Sequence, residues 1–379
     1  MTGPLDNLRV VEFAAIGPVP FAGALLGDMG ADVVRVDRPP VPRPQTQYPP
    51  TLSRQFDFYN RNKRSVAVDL KDASQVTTAM QMIAHADIVL EGFRPSVMER
   101  LGLGPDECFA VNERLVYGRM TGWGQDGPLA PEAGHDLSYL ALTGALHAIG
   151  GPDLPRPPLN LVADLGGGGM FLLAGVLAAV IETQRSGKGQ VVDASMLDGV
   201  VQLMSGFQAL LQQGSWIDER DSNVVDGAAP FYRAYATRDD KFVAVAALEP
   251  KFYAALLTGL GLADDDLPKQ TDPEGWPVLT ARFAAVFRTR TRDEWVEVFA
   301  GTDACFAPVL TIAEVPAHPH VAARKVFTDY QEARYPSPAP RFSRTPGAIR
   351  LAPPQPGQHS DVVFEEWGIR APGRAPDGL

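Results

Sequence analysis

Cysteine is nearly missing from this chain: Cys108 and Cys305 are the two present in 379 residues. Two distant thiols cannot build a disulfide framework or a four-cysteine zinc site, and their scarcity suits a reducing, cytoplasmic setting. Cations are short as well. Against 45 acidic residues stand 34 Lys and Arg, and the net charge of −11 repels a polyanionic duplex, so nucleic acid is not an expected partner. No basic stretch leading into an apolar run opens the sequence, which argues against a secretory signal. Residues 165–181 and 199–217 are long and uncharged, but the first opens on glycines 166–169 and the second carries Gln202, Gln208, Gln212 and Gln213. Both are read as buried helices, with no membrane insertion.

Several chemical signatures are missing too. The first strand-to-helix turn, Ala14-Ala15-Ile16-Gly17-Pro18-Val19-Pro20-Phe21-Ala22-Gly23, lacks the Gly-x-Gly-x-x-Gly spacing that seats a dinucleotide pyrophosphate. Ser186-Gly187-Lys188-Gly189 has neither the earlier glycine nor the following Ser or Thr of a P-loop. There is no Gly-x-Ser-x-Gly elbow, and His318-Pro319-His320 has no obvious third ligand. A nicotinamide cofactor, serine hydrolysis and a resident metal are therefore set aside. The chemistry left is that of acids, bases and carbonyls.

What is present reads as an α/β protein with an open, mostly parallel, Rossmann-like sheet. Strand-like runs at residues 9–13, 32–36, 65–70, 87–90 and 115–119 alternate with helical patterns at 18–29, 75–84, 97–101 and 106–114. A proline-rich connection at 39–50 resembles an extended surface loop. Long helices are expected at 136–147, 169–184 and 196–213, bracketing a short strand near 190–194. Beyond Asn223 a hairpin (231–236 and 241–248) and helices at 251–260 and 276–287 indicate a smaller α+β unit. The expected division is a large unit of 1–195 rejoined by 335–379, a helical linker at 196–222 and a small unit at 223–334. Seven prolines in 336–356 suggest a segment that wraps a surface without regular structure.

In open α/β sheets, ligands bind beyond the carboxyl ends of the strands. Arg38, Lys71 and Arg94 each follow such an end. Residues 35–100 hold ten Lys or Arg against seven Asp or Glu, with Arg61, Lys63 and Arg64 as a compact cluster. This local surplus suits a multiply phosphorylated small ligand, although solvated surface charge is the plainer reading of any one of them. Gly134-His135-Asp136 precedes a helical pattern, where Asp136 can cap and unpaired N–H groups can hold an oxyanion, although an ordinary capped helix start with a partly exposed His135 is the plainer reading of these three residues alone. Asp164 precedes four glycines and an apolar helix, which places a carboxylate at a positive helix end that a substrate can approach closely; an ordinary N-cap with glycines for tight packing is the plainer reading of these residues taken alone. Glu249, before Pro250, stands at a strand-to-helix corner.

These residues also resemble family III of the coenzyme A transferases. The resemblance covers nearly the whole chain and is carried by Pro4-Leu5-Asp6-Asn7-Leu8-Arg9-Val10-Val11-Glu12, Gly27-Asp28-Met29-Gly30-Ala31-Asp32, Arg100-Leu101-Gly102-Leu103-Gly104-Pro105, Met120-Thr121-Gly122-Trp123-Gly124-Gln125 and Ser186-Gly187-Lys188-Gly189-Gln190. Within the family, His135, Asp164 and Glu249 together are similar to the racemases that act on 2-methyl-branched acyl-CoA. The resemblance implies removal and return of the C2 proton by Asp164 on one face and His135, supported by Glu249, on the other, with the Asp136 backbone holding the enolate oxygen. It implies coenzyme A contacts from Arg38, Val68, Asp69, Leu70, Lys71 and Arg100. Gly92, Phe93, Arg94, Gly134 and Tyr139 complete that implied set. It further implies an interlocked homodimer with no cofactor beyond the coenzyme A of the substrate. The alternative within the family is a CoA-transferase in which Asp164 is the nucleophile.

Overall fold

Strands covered on both faces are built from nearly continuous β-branched and apolar runs, and Val10, Val11, Val33, Val34, Val36, Val66, Ile88 and Val89 are all buried. The computed structural model describes residues 3–39 and 52–371. Its main sheet contains β1 (Arg9–Phe13), β2 (Asp32–Asp37), β3 (Lys63–Ala67), β4 (Ile88–Glu91), β5 (Val116–Thr121) and β6 (Gln190–Ser195). All pairings are parallel, in the order β3-β2-β1-β4-β5-β6. The order reverses at β1, flanked by β2 and β4, and such a reversal opens a crevice beyond the carboxyl ends.

One face of the sheet is covered by Ala73–Ala84, Pro105–Val111 and Ser360–Trp367, around Phe13, Val34, Ile83, Tyr117 and Trp367. The last of these helices was not expected, although its Val363, Phe364 and Trp367 form a buried stripe. Pro18–Asp28 and Phe171–Ser186 pack on the sheet as well. The stretch Leu161–Ser186 is long and apolar enough to cross a bilayer. Instead its Leu172 and Val176 meet β5 at Gly118, as expected of a core helix.

The chain divides into two compact units. Unit 1 comprises Met1–Thr143, Leu159–Leu203 and Lys325–Leu379, and unit 2 comprises Gly144–Pro158 and Met204–Arg324. Two expected helices are interrupted where this division falls. Residues 136–147 form Asp136–Ala141 and Ala145–Ala148, parted at Gly144 with φ +81°. Residues 196–213 form Met196–Leu203 and Ser205–Gln212, parted at Met204. Residues 325–334, expected in the small unit, belong to unit 1, where β7 (Phe327–Tyr330) and β8 (Ala333–Pro336) make an unforeseen hairpin. Apart from Pro39, the proline-rich connection lies outside the described residues.

In unit 2 the expected hairpin is present as Tyr232–Ala236 and Phe242–Ala246, joined by a third antiparallel strand, Phe306–Val309. Pro308 hid that strand from the sequence reading, and it is tolerated because the strand is at the sheet edge. Tyr235, Phe283, Phe287 and Trp295 form the core, where the Tyr235 hydroxyl donates to Pro230 O at 2.6 Å.

Candidate active site

Turns following β1, β4 and β5 converge at the reversal of strand order and bound a cavity of about 560 Å³. Residues 16–19, 92–95 and 120–123 form its sheet side, and Gly134, His135, Tyr139, Asn160 and Asp164 complete it. Seven sequence candidates thus meet in unit 1: Gly92, Phe93, Arg94, Gly134, His135, Tyr139 and Asp164.

Asp164 is not the residue before a helix. It is the fourth residue of a π-wound segment, Leu161–Met170, which continues into Phe171–Ser186, and Asn160 takes the capping position. Asp136 does not cap its own helix either: its Oδ2 accepts from Ala163 N at 3.1 Å and Asp164 N at 2.8 Å. That carboxylate satisfies two first-turn N–H groups and ties the His135 segment to the backbone of Asp164. Burial pushes the Asp164 carboxyl above its ordinary range, the Asn160 amide pulls it back, Asp136 raises it and His135 lowers it. Asn160 Nδ2 donates to Asp164 Oδ2 at 3.2 Å. This partner was missed in the sequence, where only its four-residue spacing from Asp164 offered a signal.

The glycines after Asp164 serve packing. A Cβ at Gly167 would stand 2.8 Å from Val200 N, and one at Gly199 would overlap the Gly167 carbonyl oxygen. The expectation that substrate approaches this backbone is therefore corrected: Gly167, Gly168 and Gly169 are buried against neighbouring helices. The glycine that does matter to the carboxylate is Gly17. Its φ of +68° suits glycine, and a Cβ there would lie 3.1 Å from Asp164 Oδ2. Tyr139 fills the space left by Gly122 and Gly134 and meets Trp123 edge to face at 4.7 Å.

The cation cluster also needs correction. Lys63 is fully buried on Glu12 Oε1 at 2.7 Å, Arg61 on Asp28 Oδ2 at 2.6 Å, and Arg64 pairs with Asp32 and Glu366. All three are engaged inside the protein. Of the strand-end cations, Arg94 is exposed and lines the cavity, whereas Arg38 and Lys71 are exposed and do not; Arg100, the last residue of the helix Val97–Arg100, is also exposed and outside the lining. Because β3 ends at Ala67, Val68, Asp69, Leu70 and Lys71 lie in the turn that follows it, also outside the cavity lining. In unit 2, Glu249 is exposed at the N-cap of Pro250–Leu260, and its side chain makes no capping bond.

Residues 5–360 match CoA-transferase family III. The chain is 45% identical to alpha-methylacyl-CoA racemase from Mus musculus, over 96% of this chain and 93% of that one. It is 41% identical to alpha-methylacyl-CoA racemase from Homo sapiens, over 96% and 94%. A CaiB/BaiF family protein from Brucella suis has a similar solved structure, with TM-score 0.83 and 26% identity over 97% of this chain and 100% of that one. The match spans the sheet, the cavity turns and unit 2 alike, and the chain belongs to CoA-transferase family III.

Proposed function

We propose that the protein is an isomerase that racemises 2-methyl-branched acyl-CoA thioesters at C2. The observation that carries this reading is that His135 and a half-buried Asp164, whose basicity burial increases, line one cavity. Its likeness to two alpha-methylacyl-CoA racemases supports the substrate class. One base breaks the C2–H bond and takes the proton, the electron pair moves into an enolate, and the conjugate acid on the other face returns a proton to C2. Asn160 holds Oδ2 of Asp164. The N–H of Asp136, first in its helix and without an intrahelical acceptor, is the donor assigned to the enolate oxygen. Arg94 meets the coenzyme A phosphates, with Arg38 and Lys71 beyond the ends of β2 and β3 and Arg100 at the end of Val97–Arg100 as further candidates.

Glu249 is assigned to orient His135 as a residue of a second copy in a homodimer, and a cytoplasmic location accompanies this reading. Sedimentation at assay concentration tests the dimer, and an active monomer would overturn it.

The chemistry is tested with each pure 2-methylacyl-CoA enantiomer in deuterated water. The parent should incorporate deuterium at C2 and form the opposite enantiomer from either one. Asp164→Asn and His135→Ala should each lose inversion by about 10²- to 10⁴-fold while retaining some exchange on one face. If His135→Ala racemises both enantiomers at the parental rate, the two-base reading fails. Transfer of label between acyl-CoA pools would then favour Asp164 as a transferase nucleophile.

A further inference from the structure

The turn after β4 enters the cavity at Gly92, Phe93 and Arg94, and an ionic relay of buried Glu91 and Arg119 with exposed Glu99 grips it from behind. Glu91, the last residue of β4, has no exposed surface. Its Oε2 accepts from Phe93 N at 2.7 Å and its Oε1 accepts from Arg119 Nε at 2.9 Å. Arg119 lies opposite Glu91 on β5, and its terminal nitrogens donate to Glu99 at 2.8 and 3.3 Å. Glu99 belongs to Val97–Arg100, the helix that ends the same turn. One guanidinium thus ties the start of residues 92–99 to their end. Neither Glu91 nor Arg119 is among the described residues lining the cavity.

Resting on the reading of this cavity as an acyl-CoA site, we propose that Glu91 is a positioning residue that sets the cavity-facing turn and Arg94 through Phe93 N–H and Arg119, and that its protonation weakens coenzyme A binding. Burial pushes Glu91 up to about 7, against the opposing pull of Phe93 N–H and Arg119. The groups facing the relay are Arg119, Glu99, Tyr117 and Cys108, together with Arg100 beside Glu99 and Asp193 opposite Arg119 on β6. Burial raises Tyr117 and pushes Cys108 up to about 12, so both stay neutral around pH 7, and Arg119 stays charged. Interaction with Arg119 holds Glu99 below its usual value, and Asp193 is raised by burial from an ordinary carboxylate value. Protonated Glu91 no longer offers an anion to Arg119 or to Phe93 N–H, which weakens both bonds that hold the start of the turn.

The test is calorimetric binding of coenzyme A at pH 6 and pH 8 to the parent, Glu91→Gln and Glu99→Gln, with thermal melts to verify folding. The ligand's own phosphate ionises near pH 6, about equally for all three proteins, so the difference between proteins isolates Glu91. The parent should bind about 3- to 10-fold more weakly at pH 6 than at pH 8, beyond any dependence left in Glu91→Gln. Glu91→Gln should bind about 3- to 10-fold more weakly than the parent at pH 8, on the scale of one hydrogen bond. Glu99→Gln should lose less and keep the pH dependence. Parental affinity and parental pH dependence in Glu91→Gln overturn the proposal. Should that variant fail to fold, Arg119→Lys keeps a cation for Glu91 but removes the fork to Glu99: weaker binding at pH 8 supports the relay, and parental binding overturns it. A parent that binds no coenzyme A at either pH overturns the functional reading instead.

Discussion

Replacing Lys63 with methionine should destabilise the protein by about 3–5 kcal/mol while leaving the coenzyme A affinity of the folded fraction unchanged. The ammonium has no exposed surface and donates to Glu12 Oε1 at 2.7 Å, Pro20 O at 2.9 Å and Asn60 Oδ1 at 3.2 Å. Methionine replaces the apolar stem and removes all three donors. Glu12, equally buried and with Oε2 already unpartnered, would then carry an uncompensated charge. Burial raises the Glu12 carboxyl, and Lys63 is the main influence lowering it. Without Lys63 the carboxyl should therefore take a proton more readily. A carboxyl raised in the folded state contributes stability at low pH that is lost as pH rises through its folded value, so the loss should be larger at pH 8 than at pH 5. Adding Glu12→Gln should recover part of it, since no stranded charge remains. Guanidinium unfolding at both pH values, followed by circular dichroism and paired with calorimetric binding, measures each quantity. Unfolding within about 1 kcal/mol of the parent at pH 8, together with tenfold weaker coenzyme A binding, would refute a structural role and return Lys63 to the phosphate site.

Arg94→Ala should raise the Michaelis constant for acyl-CoA about tenfold and leave the melting temperature nearly unchanged, whereas Arg64→Ala, which breaks the pairs to Asp32 and Glu366, should leave the Michaelis constant alone; steady-state kinetics beside a melt distinguishes them. Gly17→Ala should lower turnover by about tenfold or more, because Cβ would press on Asp164 Oδ2 from a strained backbone; parental turnover would contradict that contact. In the parent, Glu91 should make stability fall as pH rises between its unfolded value near 4.5 and its folded value of about 7, a change of about 3 kcal/mol that Glu91→Gln lacks; identical stability slopes over that window would rule it out.

The apolar runs and helical patterns that alternate through residues 9–121 were enough to specify five of the six strands of the parallel sheet. Continuous valine-rich strands need cover on both faces, and the crossovers from β1 to β2, β3 to β4 and β4 to β5 are helical. The strand-end rule picked out Arg38, Lys71 and Arg94 together, of which Arg94 lines the cavity, and the residues around His135 and Asp164 were legible as chemistry beside a sheet edge. Local pattern also missed things for physical reasons. Pro308 masked an edge strand, and Gly144 and Met204 interrupted helices whose apolar periodicity ran on regardless.

Only the tertiary structure decided which charges were spoken for. Lys63 meets Glu12 across 51 residues, Arg61 meets Asp28 across 33, and Asp136 reaches the backbone of Ala163 and Asp164 across nearly as many. A charge in a sequence has no dielectric around it and no partner. Burial and long-range pairing supply both, and so they separate the cations that hold the fold together from Arg94, which faces the cavity.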